Sequence, residues 1–545
     1  MKPFQDAKAL VFLIALLALA GCANGALPAG STGGAQNATV LQSDLSIATA
    51  PSGPVCEKRV NDTPAKLLEC IREQALFAHL VDLQHIADRN PGPDGHGNRD
   101  TGQPGYKASV DYVAALMRKA AYRVTIQQYN VAGFSVIGTP EFRTIAHEYA
   151  VGADWYVARL SGRGAPTARV EPVGKVVSNA AVESGAGCSS ADFAGFASGN
   201  IALIQRGGCT LDTKVAGAQA AGAAGVIFFN YDGAFDQADT RGTRQQGEAF
   251  QAHLQTAARI PVVGVASYAV GSELYRAYVA GRVPTVHLDI QTRLDASTVD
   301  YNLIADSPYG DPNHVVVVDA HLDSIYGAGI LDNGSGSSTI LEVALKMGKT
   351  PTHNHLRYIW FGVEEIGLLG SAYYTKHLTP AELHRIAFDI DSDVTASPNY
   401  DILVADPKFA RNVNHFPSNV VPESRRGNAY FFDYFPANRL PVRNASFGND
   451  GTDSNSFSLA GIPDTGILTQ QDCCKSEKEV DIWGGFRGNY EGDIPSFDGG
   501  CVDNPHRWCD NLTNISPYVL EFVSKGFAYV TFKLANDASI GRSWR

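Results

Sequence analysis

The 545-residue chain has no G-x-S-x-G turn anywhere, so the usual serine nucleophile of α/β hydrolases is absent. His147-Glu148 lacks the second histidine of H-E-x-x-H, and Gly348-Lys349-Thr350 lacks the first glycine of a phosphate-binding loop. No two cysteines stand at C-x-x-C spacing, which argues against a zinc–thiolate site. Basic charge is scarce: Lys+Arg 44 against Asp+Glu 56 leaves a net charge of -12. That balance disfavours nucleic acid or an anionic membrane surface as the main partner, since both attract basic faces. Outside the N-terminus no apolar run approaches the roughly 20 residues of a membrane-spanning helix, and no internal repeat is visible. What is present is enough for a large core, with 44% hydrophobic residues. The 54 glycines and 27 prolines imply many turns, which suits an α/β protein better than a helical bundle. The length suggests about three or four units.

The N-terminus reads as an address. Lys2 and Lys8 precede the apolar run Ala9 to Ala20, and Leu19-Ala20-Gly21-Cys22 follows at once. A basic start, a short apolar core and small residues at the end form a secretory signal. The last four residues resemble the lipobox of bacterial lipoproteins, which implies a lipid on Cys22; an ordinary cleaved signal is the alternative. Residues 1–22 are therefore expected to be a lipoprotein-type signal peptide. Residues 23–55, rich in Gly, Ala, Ser and Thr, are expected to be a flexible tether spanning about 30 Å. The chain is expected to be exported and held at a bacterial cell envelope, in the outer membrane or periplasm, with secretion as the alternative. Setting Cys22 aside leaves eight of nine cysteines, an even number that points to structural disulfides. Cys56/Cys70 and Cys188/Cys209 are plausible local pairs, whereas the pairing of Cys473, Cys474, Cys501 and Cys509 stays open.

Apolar residues recur at helical spacing from Thr63 to Ala87 and again from Tyr106 to Ala121, before Tyr122 to Val131 alternates like a strand. Between 148 and 290 Gly, Ala and Val dominate and charges thin out. Within this stretch Asn200 to Gln205 and Gly225 to Asn230 read as strands around a helix at Thr213 to Ala223. Beyond it, His314 to His321 contains four consecutive valines, as a strand buried on both faces does. Ser337 to Gly348 reads as helix, Leu356 to Val363 as strand, Leu368 to Leu378 as helix, Arg385 to Val394 as strand and Ser516 to Leu534 as a last helix. This alternation predicts an α/β fold with a mostly parallel mixed sheet covered by helices.

Open sheets of this kind bind ligands at the carboxyl ends of their strands. Three of the strands end in metal-type residues: His321 and Asp323, Glu364 and Glu365, Asp391 and Asp393. A fourth group, Asp332-Asn333, follows the first of them. Imidazole with several carboxylates is a donor set that zinc or a similar divalent ion accepts.

The stretches Ala320-His-Leu-Asp-Ser-Ile-Tyr-Gly-Ala-Gly-Ile-Leu-Asp-Asn-Gly-Ser-Gly336 and Trp360-Phe-Gly-Val-Glu-Glu-Ile-Gly-Leu-Leu-Gly-Ser371, continuing to Asp393, closely resemble the co-catalytic di-zinc aminopeptidases of the bacterial leucyl aminopeptidase type. Gln205-Arg-Gly-Gly-Cys-Thr210, Lys214 and Ala220-Ala-Gly-Ala-Ala224 resemble a protease-associated domain, a common insertion in that family. The resemblance implies a catalytic domain in two parts, 56–147 and 291–545, split by a β-rich protease-associated insert at 148–290. It implies two zinc ions per chain. Asp332 would bridge them, Glu365 and His506 would complete one site, and His321 and Asp393 the other. Glu364 would be the general base acting on a metal-bridging water, and Asp323 would orient His321. His506 sits in Pro505-His506-Arg-Trp-Cys509-Asp510, where some family members carry an oxyanion-stabilising tyrosine in place of Pro505. Gly451-Thr-Asp453-Ser-Asn-Ser-Phe457 matches another family segment in its Asp but has no His. The implied activity is removal of N-terminal, apolar residues from peptide substrates. A carboxypeptidase or peptide-amide hydrolase of the same fold, and a metal-free surface binding protein, are the alternatives.

Overall fold

The computed structural model describes residues 54–541 apart from 93–96, 153, 178–183, 232–248, 250–251, 326, 411–412, 446–451, 470–474 and 486–509. The expected signal peptide, Cys22 and nearly all of the tether lie outside the described residues, as do His506, Pro505 and the four C-terminal cysteines. In chain order the strands are β1 (Arg123–Val136), β2 (Glu141–Thr144), β3 (Thr167–Pro172), β4 (Ile201–Gln205), β5 (Gly225–Phe229), β6 (Val262–Ala266) and β7 (Thr285–Asp289). Then follow β8 (Thr292–Asp306), β9 (Asp311–His321), β10 (Asn354–Phe361), β11 (Ile386–Ser392), β12 (Leu403–Ala405), β13 (Arg443–Ala445) and β14 (Asp464–Leu468).

The larger sheet has the order β1-β8-β10-β9-β11-β14-β12-β13. Its four central strands, β10, β9, β11 and β14, run parallel, while β1 and β8 add antiparallel strands on one side. The four valines explain why β9 sits in the middle. Val316 and Val318 pack with Leu76, Ile340, Leu520 and Val523 from three helices on one face. Val315 and Val317 pack with Tyr374 and Phe457 on the other. From His314 onward neither face of β9 meets water, so this part of the strand needs no polar alternation.

The helix expected over 63–87 is two helices, Pro64–Cys70 and Glu73–Arg89. Cys70 is bridged to Cys56, and Ile71 turns extended with ψ 109° while remaining fully buried. Apolar spacing alone does not detect that break, because Ile71 is itself apolar and buried. The smaller sheet, β2-β7-β3-β4-β5-β6, forms the insert and begins at Glu141, ahead of the composition shift at 148. Its strands β4 and β5 are buried throughout, and the Cys188–Cys209 disulfide forms beside them. Among the described residues no helix is long and apolar enough to cross a membrane.

Aligned pairing places Asp391 beside Asp319 and Asp389 beside Asp464 on the central strands, and all four are buried. Burial pushes the Asp464 carboxyl up to about 8; a hydrogen bond from the Ser458 hydroxyl opposes this and the Asp391 charge adds to it. The folded chain therefore keeps a proton there that the unfolded chain releases near pH 4, so stability falls as pH rises from about 4 to 8. Thermal unfolding of wild type and Asp464→Asn between pH 5 and 8 reads this. The wild-type midpoint is expected to fall relative to the variant's as pH rises, and parallel profiles would contradict it.

Candidate metal centre

The order β10-β9-β11 sets three carboxyl ends side by side. His321 is the last residue of β9, Glu364 and Glu365 follow β10, and Asp393 follows β11. Asp332 enters from the loop before the helix Gly336–Met347. His321 Nε2 lies 3.0 Å from Asp332, 3.4 Å from Asp393 and 3.8 Å from Glu364. Among the described residues two triads bring their ligand atoms within 4.8 Å of one another, His321–Asp332–Glu365 and His321–Glu364–Asp393. The structure thus gathers five of the residues singled out in the sequence. His506 falls outside the described residues.

The donor set fits divalent cations on two counts. His321 Nε2 faces only carboxylates, and among the described residues Glu365 Oε1 and Asp393 Oδ1 are buried without a hydrogen-bond partner, an arrangement that costs free energy unless something positive faces those oxygens. The electrostatics agree. Burial holds the Glu364, Glu365 and Asp393 carboxyls above their usual range, although the His321 charge opposes it in each. Burial works against a charge on His321, but Glu364 and Asp393 outweigh it and raise its pKa well above normal. One imidazolium cannot balance four carboxylates; divalent cations can.

The supporting bonds fix each donor. His321 Nδ1 is 3.1 Å from the Asp323 carbonyl and 3.6 Å from its carboxylate. A carbonyl only accepts, so Nδ1 donates to it and Nε2 is left facing the site. The Asp323 carboxylate instead accepts from the backbone N–H groups of Glu364 and Glu365, at 3.2 and 3.4 Å, and from the Thr101 hydroxyl at 3.1 Å. Val363, directly before Glu364, has φ +61°, and Val394, directly after Asp393, has φ +49°. Both are β-branched, so this left-handed backbone is strained by about 1–3 kcal/mol each. Both are also buried in apolar clusters that hold them there.

Three supporting residues escaped the sequence reading or its emphasis. Asn333 donates to the Ser392 carbonyl at 2.9 Å and accepts from the Gly336 and Val394 N–H groups, tying the Asp332 loop to the end of β11. Asp510 accepts from the N–H groups of Leu331 and Asp332, at 2.5 and 2.9 Å. Burial raises Asp510 to about 7 against the pull of those bonds. Arg99 is fully buried and donates to the carbonyls of Leu322, Ala328 and Gly329 at 2.6–2.7 Å. It thereby pins both ends of the loop between His321 and Asp332. In the sequence Arg99 is a lone basic residue in a Gly- and Asn-rich turn, with no periodic signal. Arg99→Ala is expected to destabilise the chain by at least about 3 kcal/mol, because it strands three buried carbonyls. Arg99→Lys recovers only part, lacking the planar fork. Denaturant unfolding of the two variants checks this.

Comparison with known proteins sets this geometry in context. The family model described as "Peptidase family M28" matches residues 302–531, and the "PA domain" model matches 172–274. An "Aminopeptidase" of Pseudomonas aeruginosa is 32% identical over 500 residues, covering 90% of this chain and 86% of that protein. The "Probable lipoprotein aminopeptidase LpqL" of Mycobacterium tuberculosis is 32% identical over 481 residues, 86% of either chain. Among solved structures, a zinc aminopeptidase from Bacillus subtilis superposes with a TM-score of 0.58 at 21% identity, over 86% of this chain and 96% of its own. That likeness extends to the fold.

Proposed function

This chain belongs to peptidase family M28 as a metallo-aminopeptidase with an inserted PA domain, and we propose that it holds two zinc ions and removes N-terminal, apolar residues from peptides using water deprotonated by Glu364. The observation that carries this reading is the pair of overlapping triads that share His321. The B. subtilis enzyme named as a zinc aminopeptidase supports the metal. Resemblance to the leucyl aminopeptidase type supports the apolar preference.

Asp332, 3.0 Å from the histidine common to both triads, would be the bridging ligand; Glu365 would hold one ion with His506, and His321 with Asp393 the other. Bound zinc would polarise the scissile carbonyl and make the attacking water more acidic. Glu364 projects into the same space, its side chain 11% exposed. Its carboxylate takes the proton of the attacking water and returns it to the departing amine, acting first as base and then as acid. Asp323, through the two loop N–H groups, holds the backbone from which Glu364 and Glu365 diverge into separate roles.

His506→Ala is expected to weaken one metal step by at least about 10–100-fold, leaving the ion held by His321, Asp332 and Asp393 in place. Isothermal titration of zinc into the apo variant reads this, and two unchanged steps would remove His506 from the site. Attachment at a cell envelope through a lipid on Cys22 is part of the same proposal, supported by the lipobox resemblance and by a relative named as a lipoprotein. The activity itself is tested with amino-acid p-nitroanilides and with amine-blocked dipeptides, each with and without chelator. Chelator-sensitive cleavage of the p-nitroanilides is expected, and cleavage of the blocked dipeptides alone would point to a carboxypeptidase.

A further inference from the structure

We infer that the PA insert positions the loop that carries Glu364, with His253 and Gln255 as the positioning residues; this rests on the assignment of Glu364 as the base. Residues 252–255 alternate in burial: Ala252 and Leu254 are buried in the insert's own core, while His253 and Gln255 face the catalytic loop. His253 Nδ1 lies 3.2 Å from the Glu365 carbonyl, and Gln255 Nε2 donates to the Ile366 carbonyl at 3.2 Å. Because a carbonyl can only accept, His253 donates from Nδ1.

The segment is itself held. The Asp212 carboxylate, in the first turn of the helix Leu211–Ala220, accepts from the N–H groups of Gln255 and Thr256 at 2.8–3.1 Å. Arg159 and the 252–254 backbone exchange hydrogen bonds, and the Arg159 guanidinium reaches the Ala132 carbonyl on β1 at 2.6 Å.

The catalytic loop is thereby gripped from two sides. Asp323 takes the N–H groups of Glu364 and Glu365, and the insert takes the carbonyls of Glu365 and Ile366. The loop has reason to need both. Val363, Gly367 and Leu368 all have positive φ, at 61°, 121° and 58°. Non-glycine residues hold such conformations only where surrounding contacts over-determine them. Gly367 also runs directly beneath Gln255, so close that a Cβ there would sit 2.9 Å from its Nε2. Released from the insert, the loop would relax and carry Glu364 off line. A misplacement of about 1 Å can cost on the order of a hundredfold in rate.

The test uses the full chain at saturating zinc, with His253→Ala and Gln255→Ala. Each is expected to lower kcat, His253→Ala by about tenfold or more, with KM within about twofold and zinc content unchanged. Gln255 is solvent-exposed and His253 half-buried, so the smaller loss is expected at Gln255. Hydrogen exchange of the 363–368 amides should quicken in both variants, while exchange at Val315–Val318 stays as in wild type. His253→Asn, which keeps a donor near the same place, should restore most of both readouts. Wild-type kcat together with wild-type loop exchange would overturn the inference. A rise in KM with kcat unchanged would also overturn it, making the insert an entry gate. If Glu364→Gln retains full kcat, the base assignment fails instead, and loop exchange still decides whether the insert clamps the loop.

Discussion

A Glu364→Gln variant is expected to keep the wild-type metal content while kcat falls by at least about a hundredfold, the usual scale for losing a general base. Gln has the shape of Glu and no capacity to take a proton, so the change removes one chemical step and little else. The site around it should survive, since the backbone N–H of Glu364 is held by Asp323 and not by its own carboxylate. Glu364 Oε2 sits 3.8 Å from His321 Nε2, close enough that its charge matters to the site. Metal analysis of the same preparation separates two readings of the adjacent acids. Full metal with low kcat keeps Glu364 as base and Glu365 as ligand; loss of metal would reverse them.

Asp332→Asn is expected to have the largest effect on metal itself, with zinc retention dropping below one ion per chain and activity falling with it. Two dications held by neighbouring donors would repel by on the order of 20 kcal/mol at an effective dielectric near 20. The Asp332 carboxylate would offset much of that, whereas a carboxamide has no charge to do so. The surrounding bonds fix Asp332 where a bridge would stand. Asp510 holds the Asp332 N–H, Asn333 fastens the next residue to the end of β11, and the Asp332 carboxylate lies 3.0 Å from His321. Asn at 332 preserves those backbone bonds, so a well-folded, metal-poor protein is the expected result. Retention of two ions would show that the bridge lies elsewhere.

The parts of this molecule that were legible in the sequence are those where one strand writes its own environment. Val315–Val318 announce a strand covered on both faces, and His321, Glu364, Glu365 and Asp393 stand where three such strands end. Asp332 was readable because its loop is short and follows β9 directly. The break at Ile71 was not readable, since Ile71 is as apolar and as fully buried as the helical residues around it and side-chain spacing carries no sign of its extended backbone. Arg99 and the role of Asp510 as a backbone anchor were hidden for another reason: each acts on main-chain groups far along the chain, and hydrogen bonds to carbonyls and N–H groups leave no mark on side-chain pattern. The same holds for His253 and Gln255, whose partners are carbonyls more than a hundred residues away.

The most direct test is a zinc titration of the chelator-stripped enzyme, followed by hydrolysis of leucine p-nitroanilide at each addition. Two ions bound per chain, with activity absent at the start and complete only as the second site fills, is the predicted result. Full activity in the stripped protein, or a plateau in both binding and activity at a single ion, would contradict the two-metal account.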